Sequence, residues 1–168
     1  MTTFEKLRFE GRGDREVVMT RRFDAPREAV FDGFTKAELL QQWLVPPGWE
    51  VTRCEIDLRP GGSYRYEWRG PDGNPMGTTG VIREVQAPAL LVQTERFEPT
   101  WYPGEAVGTL ELVEENGVTT AIHTMRYESR EARDMVLAAP MGEGAAASYD
   151  MLEQLLRGGA LAAGAAGR

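Results

Sequence analysis

The feature that most constrains the fold is one long helical pattern near the end of the chain, at residues 141–156. Its apolar residues recur with the i, i+3, i+4 and i+7 spacing of a single helix face, as Met151, Leu152 and Leu155 illustrate. The first turns carry glycine, alanine and Ser148, so they have little side-chain bulk, whereas the last turns carry leucines. The pattern predicts an amphipathic helix that closes one side of a core and leaves space beneath its N-terminal half.

Before this helix the apolar period is two, which predicts an almost uninterrupted run of strands. Turn residues separate the strands, and the strongest signal is Asn116-Gly117, whose preference for positive φ is typical of a tight hairpin. The predicted strands are at 49–58, 63–69, 76–85, 89–97, 105–114 and 118–127. This succession predicts an antiparallel meander.

The first third of the chain adds one strand at 15–23 and two short helices. Pro26 suits the first position of the first helix, and Thr35 with Glu38 forms a capping-box pattern for the second. A further short helix is predicted at 130–138. The fold class is therefore α+β: one domain at 15–157, preceded by an arm or one added edge strand at 1–14 and followed by a flexible Gly/Ala tail at 158–168.

Composition limits the partners. The formal charge of -7 opposes a long-range attraction to nucleic acid or anionic lipid, and no apolar run approaches the ~20 residues of a membrane span. The charged N-terminal segment lacks the apolar core of a secretory signal, so we expect a cytoplasmic protein. Cys54 is the single cysteine, which excludes an intramolecular disulfide. Arg21 and Arg22 are expected to be a solvated pair.

The chain carries no familiar catalytic signature. There is no nucleophile elbow and no phosphate-binding glycine loop, and one histidine with one cysteine cannot supply the usual ligand sets for zinc or iron. We therefore predict neither a metal nor a cofactor. The candidates for proton transfer are His123 and a buried carboxylate, which could be Glu55, Asp57, Glu67 or Glu95, with Glu95 the leading candidate. A hydrogen-bonded structural role for His123 remains an open alternative.

Several motifs in this order resemble the bacterial stand-alone branch of the activator of Hsp90 ATPase homologue 1-like family, within the START-like or SRPBCC superfamily. They are Phe23-Asp24-Ala25-Pro26, Trp43-Leu44-Val45-Pro46-Pro47-Gly48, Asp57-Leu58-Arg59-Pro60-Gly61-Gly62, Pro71-Asp72-Gly73, Gly80 with Glu84-Val85, Pro88 with Leu91, and Met141 with Gly144. The resemblance implies a helix-grip fold, in which a bent antiparallel sheet of six to seven strands holds a long C-terminal helix over a cavity. Relatives often have an aromatic residue after the threonine that corresponds to Thr94, whereas this chain has Glu95, so its pocket is expected to be more polar.

Three functions are compatible with this fold. The favoured one is binding of a small hydrophobic ligand, aromatic or lipid-like, between the sheet and the terminal helix. The alternatives are an enzyme of the polyketide cyclase, aromatase or dehydratase type, and a protein-interaction module, although a role with an Hsp90 homologue is not expected because the namesake's additional domain is absent here. A homodimer is compatible with the sequence. The predicted ligand-binding residues are Trp43, Tyr64, Tyr66, Trp68, Phe97, His123, Met125, Tyr127, Met141, Ser148 and Met151.

Overall fold

The structure is a computed structural model and describes residues 2–4 and 6–158. The described chain forms nine strands and four helices. In chain order they are β1 (Thr2–Phe4), β2 (Leu7–Arg12), β3 (Glu16–Phe23), α1 (Arg27–Thr35), α2 (Ala37–Trp43), β4 (Glu50–Ile56), β5 (Ser63–Arg69), β6 (Pro75–Gln86), β7 (Leu90–Glu98), β8 (Ala106–Glu115), β9 (Val118–Arg126), α3 (Arg130–Ala138) and α4 (Met141–Arg157). Most of the predicted tail at 158–168 lies outside the described residues.

All nine strands belong to one open antiparallel sheet with the order β1-β2-β3-β9-β8-β7-β6-β5-β4. Every neighbouring pair is consecutive in the chain except β3 and β9, which pair from Glu16 opposite Arg126 to Phe23 opposite Thr119. The sheet has more strands than the six to seven expected, because residues 2–4 and 7–12 form β1 and β2: β2 pairs with β3, and β1 pairs with β2 at the edge of the sheet.

Helix α4 covers the inner face of the sheet, as the α+β prediction requires. Tyr149 and Leu152 are buried in the same core cluster as the inward residues of the strands. The Tyr149 ring meets the edge of Phe23 on β3 with centroids 6.1 Å apart, and it also contacts Trp43 at the end of α2. The helix-grip prediction is thereby confirmed, with α1 and α2 filling one end of the sheet.

The turn chemistry has the expected effect in the β8–β9 hairpin. Asn116 has φ of 53° and Gly117 has φ of 78°, the two consecutive positive values that a tight hairpin turn needs. The capping-box prediction is wrong. Thr35 is the last residue of α1 and its hydroxyl donates to the Phe31 carbonyl oxygen, while α2 begins after Lys36 without a side-chain cap.

The prediction that Arg21 is solvated is also wrong. Arg21 lies on the inward side of β3 with only 1% of its surface exposed. Its guanidinium donates to the Asp150 carboxylate of α4 over 2.8 Å and lies 3.5 Å from the Glu153 carboxylate. Arg21 therefore links the sheet to the terminal helix by a partly buried ion pair.

Within the described residues, no helix combines the length and the apolar character that crossing a membrane requires.

Candidate functional site

The inner face of β7, β8 and β9 carries a group of polar side chains. Glu95 on β7 is paired with Ala106 on β8, and Tyr127, which directly follows β9, lies on the other side of Ala106. One step along the strands, Gln93 is paired with Gly108 on β8. Because paired residues share a face, Ala106 has polar side chains on both sides, whereas Gly108 lies between Gln93 and Met125.

The loop between β7 and β8 completes this group. The hydroxyl of Tyr102, in the loop, donates a hydrogen bond of 2.9 Å to a Glu95 carboxylate oxygen. Its ring meets the edges of Tyr127 and Trp101, each with centroids 5.1 Å apart, and of Phe97 at 6.0 Å. Glu95 therefore lies beside a cluster of four aromatic rings.

Glu95 is a carboxyl group without a cation. Burial raises its pKa to about 7, and the hydrogen bond from Tyr102 only partly opposes that shift. Among the described residues no lysine or arginine forms an ion pair with it. Its charge also reaches Tyr64 and Tyr127, whose pKa values are raised first by burial and then by the Glu95 carboxylate. At neutral pH this group can therefore exist with or without its proton.

His123 is on the same inner face, in the row next to that of Gln93, Gly108 and Met125. It is paired with Met19 of β3 and Leu110 of β8, and its Nε2 points toward Gly108, where an added Cβ would lie 3.1 Å away. Burial lowers the pKa of the imidazole to about 4. His123 is therefore neutral at pH 7 and is poorly suited to donate a proton as an imidazolium.

Four polar atoms of this inner face are buried without a hydrogen-bond partner. They are Thr78 Oγ1, Gln93 Oε1, His123 Nδ1 and the Tyr127 hydroxyl. Thr78 and Tyr127 are only 4% and 2% exposed, whereas Gln93, His123 and Glu95 keep some accessible surface although they point inward. Buried polar groups are almost always hydrogen-bonded in native proteins, so a concentration of unpartnered ones marks a place where a further molecule can bind.

The predicted aromatic ladder of β5 forms the neighbouring wall. Tyr64, Tyr66 and Trp68 are all buried on the inner face, and the first two rings are 4.8 Å apart. The Tyr64 hydroxyl donates to the Thr94 carbonyl oxygen, and Trp68 Nε1 donates to the Leu44 carbonyl oxygen. These two residues therefore have their polar atoms satisfied by the protein and offer an apolar surface.

The other predicted ligand residues fall into two groups. Phe97 and Met125 belong to the inner face around Glu95 and Gly108, where an added Cβ at Gly108 would lie 2.9 Å from Met125 Sδ. Trp43 is separate: it is buried at the helix junction, and its Nε1 donates to the Gly33 carbonyl oxygen. Ser148 is buried on α4, and the half-buried Met141 and Met151 lie on the same helix.

The sequence reasoning missed Trp101 and Tyr102. Both lie in the loop between β7 and β8, outside every predicted element. An aromatic pair in a short loop that directly follows a strand with an inward acid was the available signal. Because β7 and β8 pair with each other, the loop that joins them lies at the shared end of both strands, where Tyr102 contacts Glu95.

Two open depressions on the surface lie elsewhere. One, of about 520 Å³, is bounded by the C-terminal part of α4 and by β3, including Arg21 and Glu153. The other, of about 350 Å³, lies beside β4 and β5, including Arg53 and Arg65. Across residues 2–4 and 6–158, no three histidine, cysteine, aspartate or glutamate side chains come together as a metal site.

An open antiparallel sheet packed around a long C-terminal helix is the helix-grip fold of START-like proteins. The family model for activator of Hsp90 ATPase homolog 1-like proteins matches residues 24–157, and the chain belongs to this family.

Solved structures of bacterial proteins have the same fold. A crystal structure from Rhodobacter sphaeroides is 28% identical, with a TM-score of 0.87 over 92% of this chain and 99% of that one. A crystal structure from Mycobacterium smegmatis is 27% identical, with a TM-score of 0.79 over 89% and 95% of the two chains. An X-ray structure from Nitrosomonas europaea is 25% identical, with a TM-score of 0.77 over 87% and 96%. No curated protein sequence matches the chain.

Proposed function

We propose that the protein binds a small, largely apolar molecule between the inner face of the sheet and α4, with a polar group of that molecule against Glu95. The observation that carries the proposal is the set of unpartnered buried polar atoms beside an aromatic wall. Ligand sites of this kind combine a mainly apolar lining with a few convergent polar groups.

The lining supports an adaptable apolar site. The β5 aromatic ladder offers flat surfaces, and Met125, Met141 and Met151 have unbranched side chains that can change shape around a ligand. Gly144 lies one helical turn before the buried Ser148, and a Cβ added at Gly144 would meet no atom within 4 Å. Gly144 is half-buried, and we propose that the open space beside it extends beneath the first turns of α4.

Displacement of a fluorescent probe tests the proposal. We expect 1-anilinonaphthalene-8-sulfonate to bind the folded protein at micromolar concentration and to be displaced by extracts of the host that supply the ligand. Native mass spectrometry of protein purified from its own host should show a bound mass that denaturation removes.

A matched pair of variants locates the binding. Gly144→Leu adds a side chain to the free volume and should weaken probe binding at least tenfold. Glu143→Leu adds the same side chain at an exposed position of the same turn and should have little effect. Equal binding by both variants and the unaltered protein would place the site elsewhere and refute the proposal.

A second candidate, a cyclase- or dehydratase-like enzyme, is favoured by the inward-facing Glu95 carboxyl, which has no cationic partner among the described residues; burial raises its pKa to about 7, which suits a general base. Tyr102 donates a hydrogen bond to this carboxyl and would orient it, but burial and the Glu95 charge raise the pKa of the Tyr102 hydroxyl, so Tyr102 is not the proton donor. With a poly-β-ketone thioester as substrate, Glu95→Gln should lower the rate by roughly 10²–10⁴-fold. If neither this variant nor His123→Ala changed a measured activity, this function would be refuted.

A further inference from the structure

We infer that the polar group of the ligand is a protonated amine, held between Glu95 and Tyr127 above Ala106. The inference rests on the proposed function and narrows it to one ligand chemistry.

The polar group around Ala106 and Gly108 offers mainly hydrogen-bond acceptors. Around Ala106 and Gly108 the unsatisfied atoms include Gln93 Oε1, which only accepts, and the Tyr127 hydroxyl oxygen, which can accept. The Glu95 carboxylate has several acceptor sites, and Tyr102 occupies one of them. A neutral His123 also has one acceptor nitrogen. The group is rich in acceptors, and an ammonium, with up to three donors and no acceptor, is its complement.

The charge of Glu95 is not balanced by the protein: it forms no ion pair with any lysine or arginine among the described residues. By contrast, Glu98 on the outward face of the same strand lies 2.9 Å from the Arg65 guanidinium. A buried carboxylate is costly without a counter-charge, so a cationic ligand would supply what the protein leaves out. A carboxylate or phosphate ligand would instead be repelled by Glu95.

Four aromatic rings lie beside the Glu95 carboxyl. Tyr102, Tyr127, Trp101 and Phe97 lie edge to face with centroid distances of 5.1–6.0 Å, so the cluster presents ring faces in several directions. Aromatic faces attract ammonium groups, and the attraction increases when water is excluded. A carboxylate among several aromatic rings therefore favours an organic cation over a neutral alcohol, which can donate only one hydrogen bond.

Access to Glu95 is from its own side of the group. Ala106 is fully buried, and Met125 Sδ and His123 Nε2 lie over Gly108, whereas the Glu95 side chain is only half-buried. Glu95, Gln93 and His123 keep accessible surface although they point inward. A small ammonium group can therefore approach Glu95 with its apolar part directed toward Tyr64 and Tyr66.

Three probes with the same ring system test the inference: 1-naphthylmethylamine, 1-naphthalenemethanol and 1-naphthoate, titrated by calorimetry at pH 8. The amine is expected to bind at least tenfold more tightly than the alcohol, and the naphthoate least tightly. Glu95→Gln should weaken the amine at least tenfold and change alcohol binding less than threefold. Glu98→Gln removes the same charge from the outward face of the same strand and is the control, expected to leave all three affinities unchanged.

The outcomes separate the two proposals. If amine and alcohol bind equally well, or if Glu95→Gln weakens both to the same degree, the amine inference is wrong while the binding function stands. If none of the three binds to protein that circular dichroism shows to be folded, both proposals are refuted. Naphthoate as the tightest ligand would assign the site to anions and overturn the inference.

Discussion

Two inward-facing, half-buried residues of the site respond to pH in opposite ways. The Glu95 pKa is raised from 4.5 to about 7, so ionisation penalises the folded state. The His123 pKa is lowered from 6.5 to about 4, so protonation penalises the folded state. Both effects fall in nearly the same pH range with opposite sign. We expect the stability of the unaltered protein to change less across this range than that of either single variant.

Glu95→Gln should reveal the contribution of the carboxyl. The stability that protonated Glu95 contributes is fully present below about pH 4.5 and is lost as the pH rises to 7 and above. The variant keeps the shape and cannot ionise, so its stability relative to the unaltered protein should increase by about 3 kcal/mol between pH 4 and pH 8. Urea denaturation at a series of pH values measures this, and a pH-independent difference would contradict it.

His123→Leu should show the reverse trend. A lowered histidine pKa means that the neutral imidazole's stability is present above about pH 6.5 and is lost as the pH falls toward 4. Leucine cannot be protonated, so the variant should gain up to about 3 kcal/mol relative to the unaltered protein between pH 8 and pH 4. The same denaturation series tests it; a relative gain on the alkaline side would show that His123 is not buried in neutral form.

At the scale of the strands, Gly80 on β6 has no room for a side chain, because the backbone of the neighbouring strand β7 lies too close. A Cβ at Gly80 would lie 2.0 Å from the Thr94 carbonyl oxygen and 2.6 Å from Tyr64 Cε1, whereas at Gly77 the nearest atom, the Tyr66 carbonyl oxygen, would be 3.4 Å away. Gly80 lies close to the irregular pairing of β6 with β7 between Ile82 and Glu84.

Alanine substitutions on β6 should therefore differ sharply. Gly80→Ala forces β6 and β7 apart and is expected to cost more than about 3 kcal/mol of stability. Gly77→Ala should change stability by less than about 1 kcal/mol, because the contact is ordinary and alanine restricts the unfolded chain. Thermal denaturation of both variants tests this, and similar losses in the two would contradict the geometry.

A local signal predicted an element correctly where no other local hydrogen bond competed with it, and pairing with a distant strand could not be read from local signals. Asn116-Gly117 specified its hairpin because both residues accept positive φ. The Thr35–Glu38 pattern predicted the wrong cap because the Thr35 hydroxyl found the Phe31 carbonyl oxygen one turn back. Strands β1 and β2 are short, and they belong to the sheet only because β2 pairs with β3 and β1 pairs with β2.

At the scale of the whole molecule, Arg21 anchors α4 to the sheet. Removing its acidic partners leaves a buried guanidinium without compensation, which typically costs 3–5 kcal/mol, whereas removing Arg21 leaves Asp150 largely hydrated and Glu153 paired with Lys6 at 2.8 Å. The double variant Asp150→Asn, Glu153→Gln should therefore be less stable than Arg21→Met. Guanidinium chloride denaturation compares them. An Arg21→Met protein that is the less stable would reverse this assignment.

The sequence identified part of the candidate site. Alternation along the strands placed His123 and Tyr127 among the candidates, and the departure from the family pattern after Thr94 pointed to Glu95. Tyr102 was missed because it lies in a loop that has no period, and Arg21 because its inward position is explained only by acids about 130 residues later. Which polar atoms remain unpartnered depends on packing across several strands, which no single stretch of sequence encodes.

The pairing of β3 with β9 has a consequence for the order of folding. Every other neighbouring pair in the sheet closes a short connection, but this one joins residues 96 to 110 positions apart. Closing so large a loop costs more chain entropy and slows the step. We expect the β4–β9 meander to assemble first and β3 to join it late. Since Arg21 is on β3, the terminal helix would receive its anchor only in that last stage.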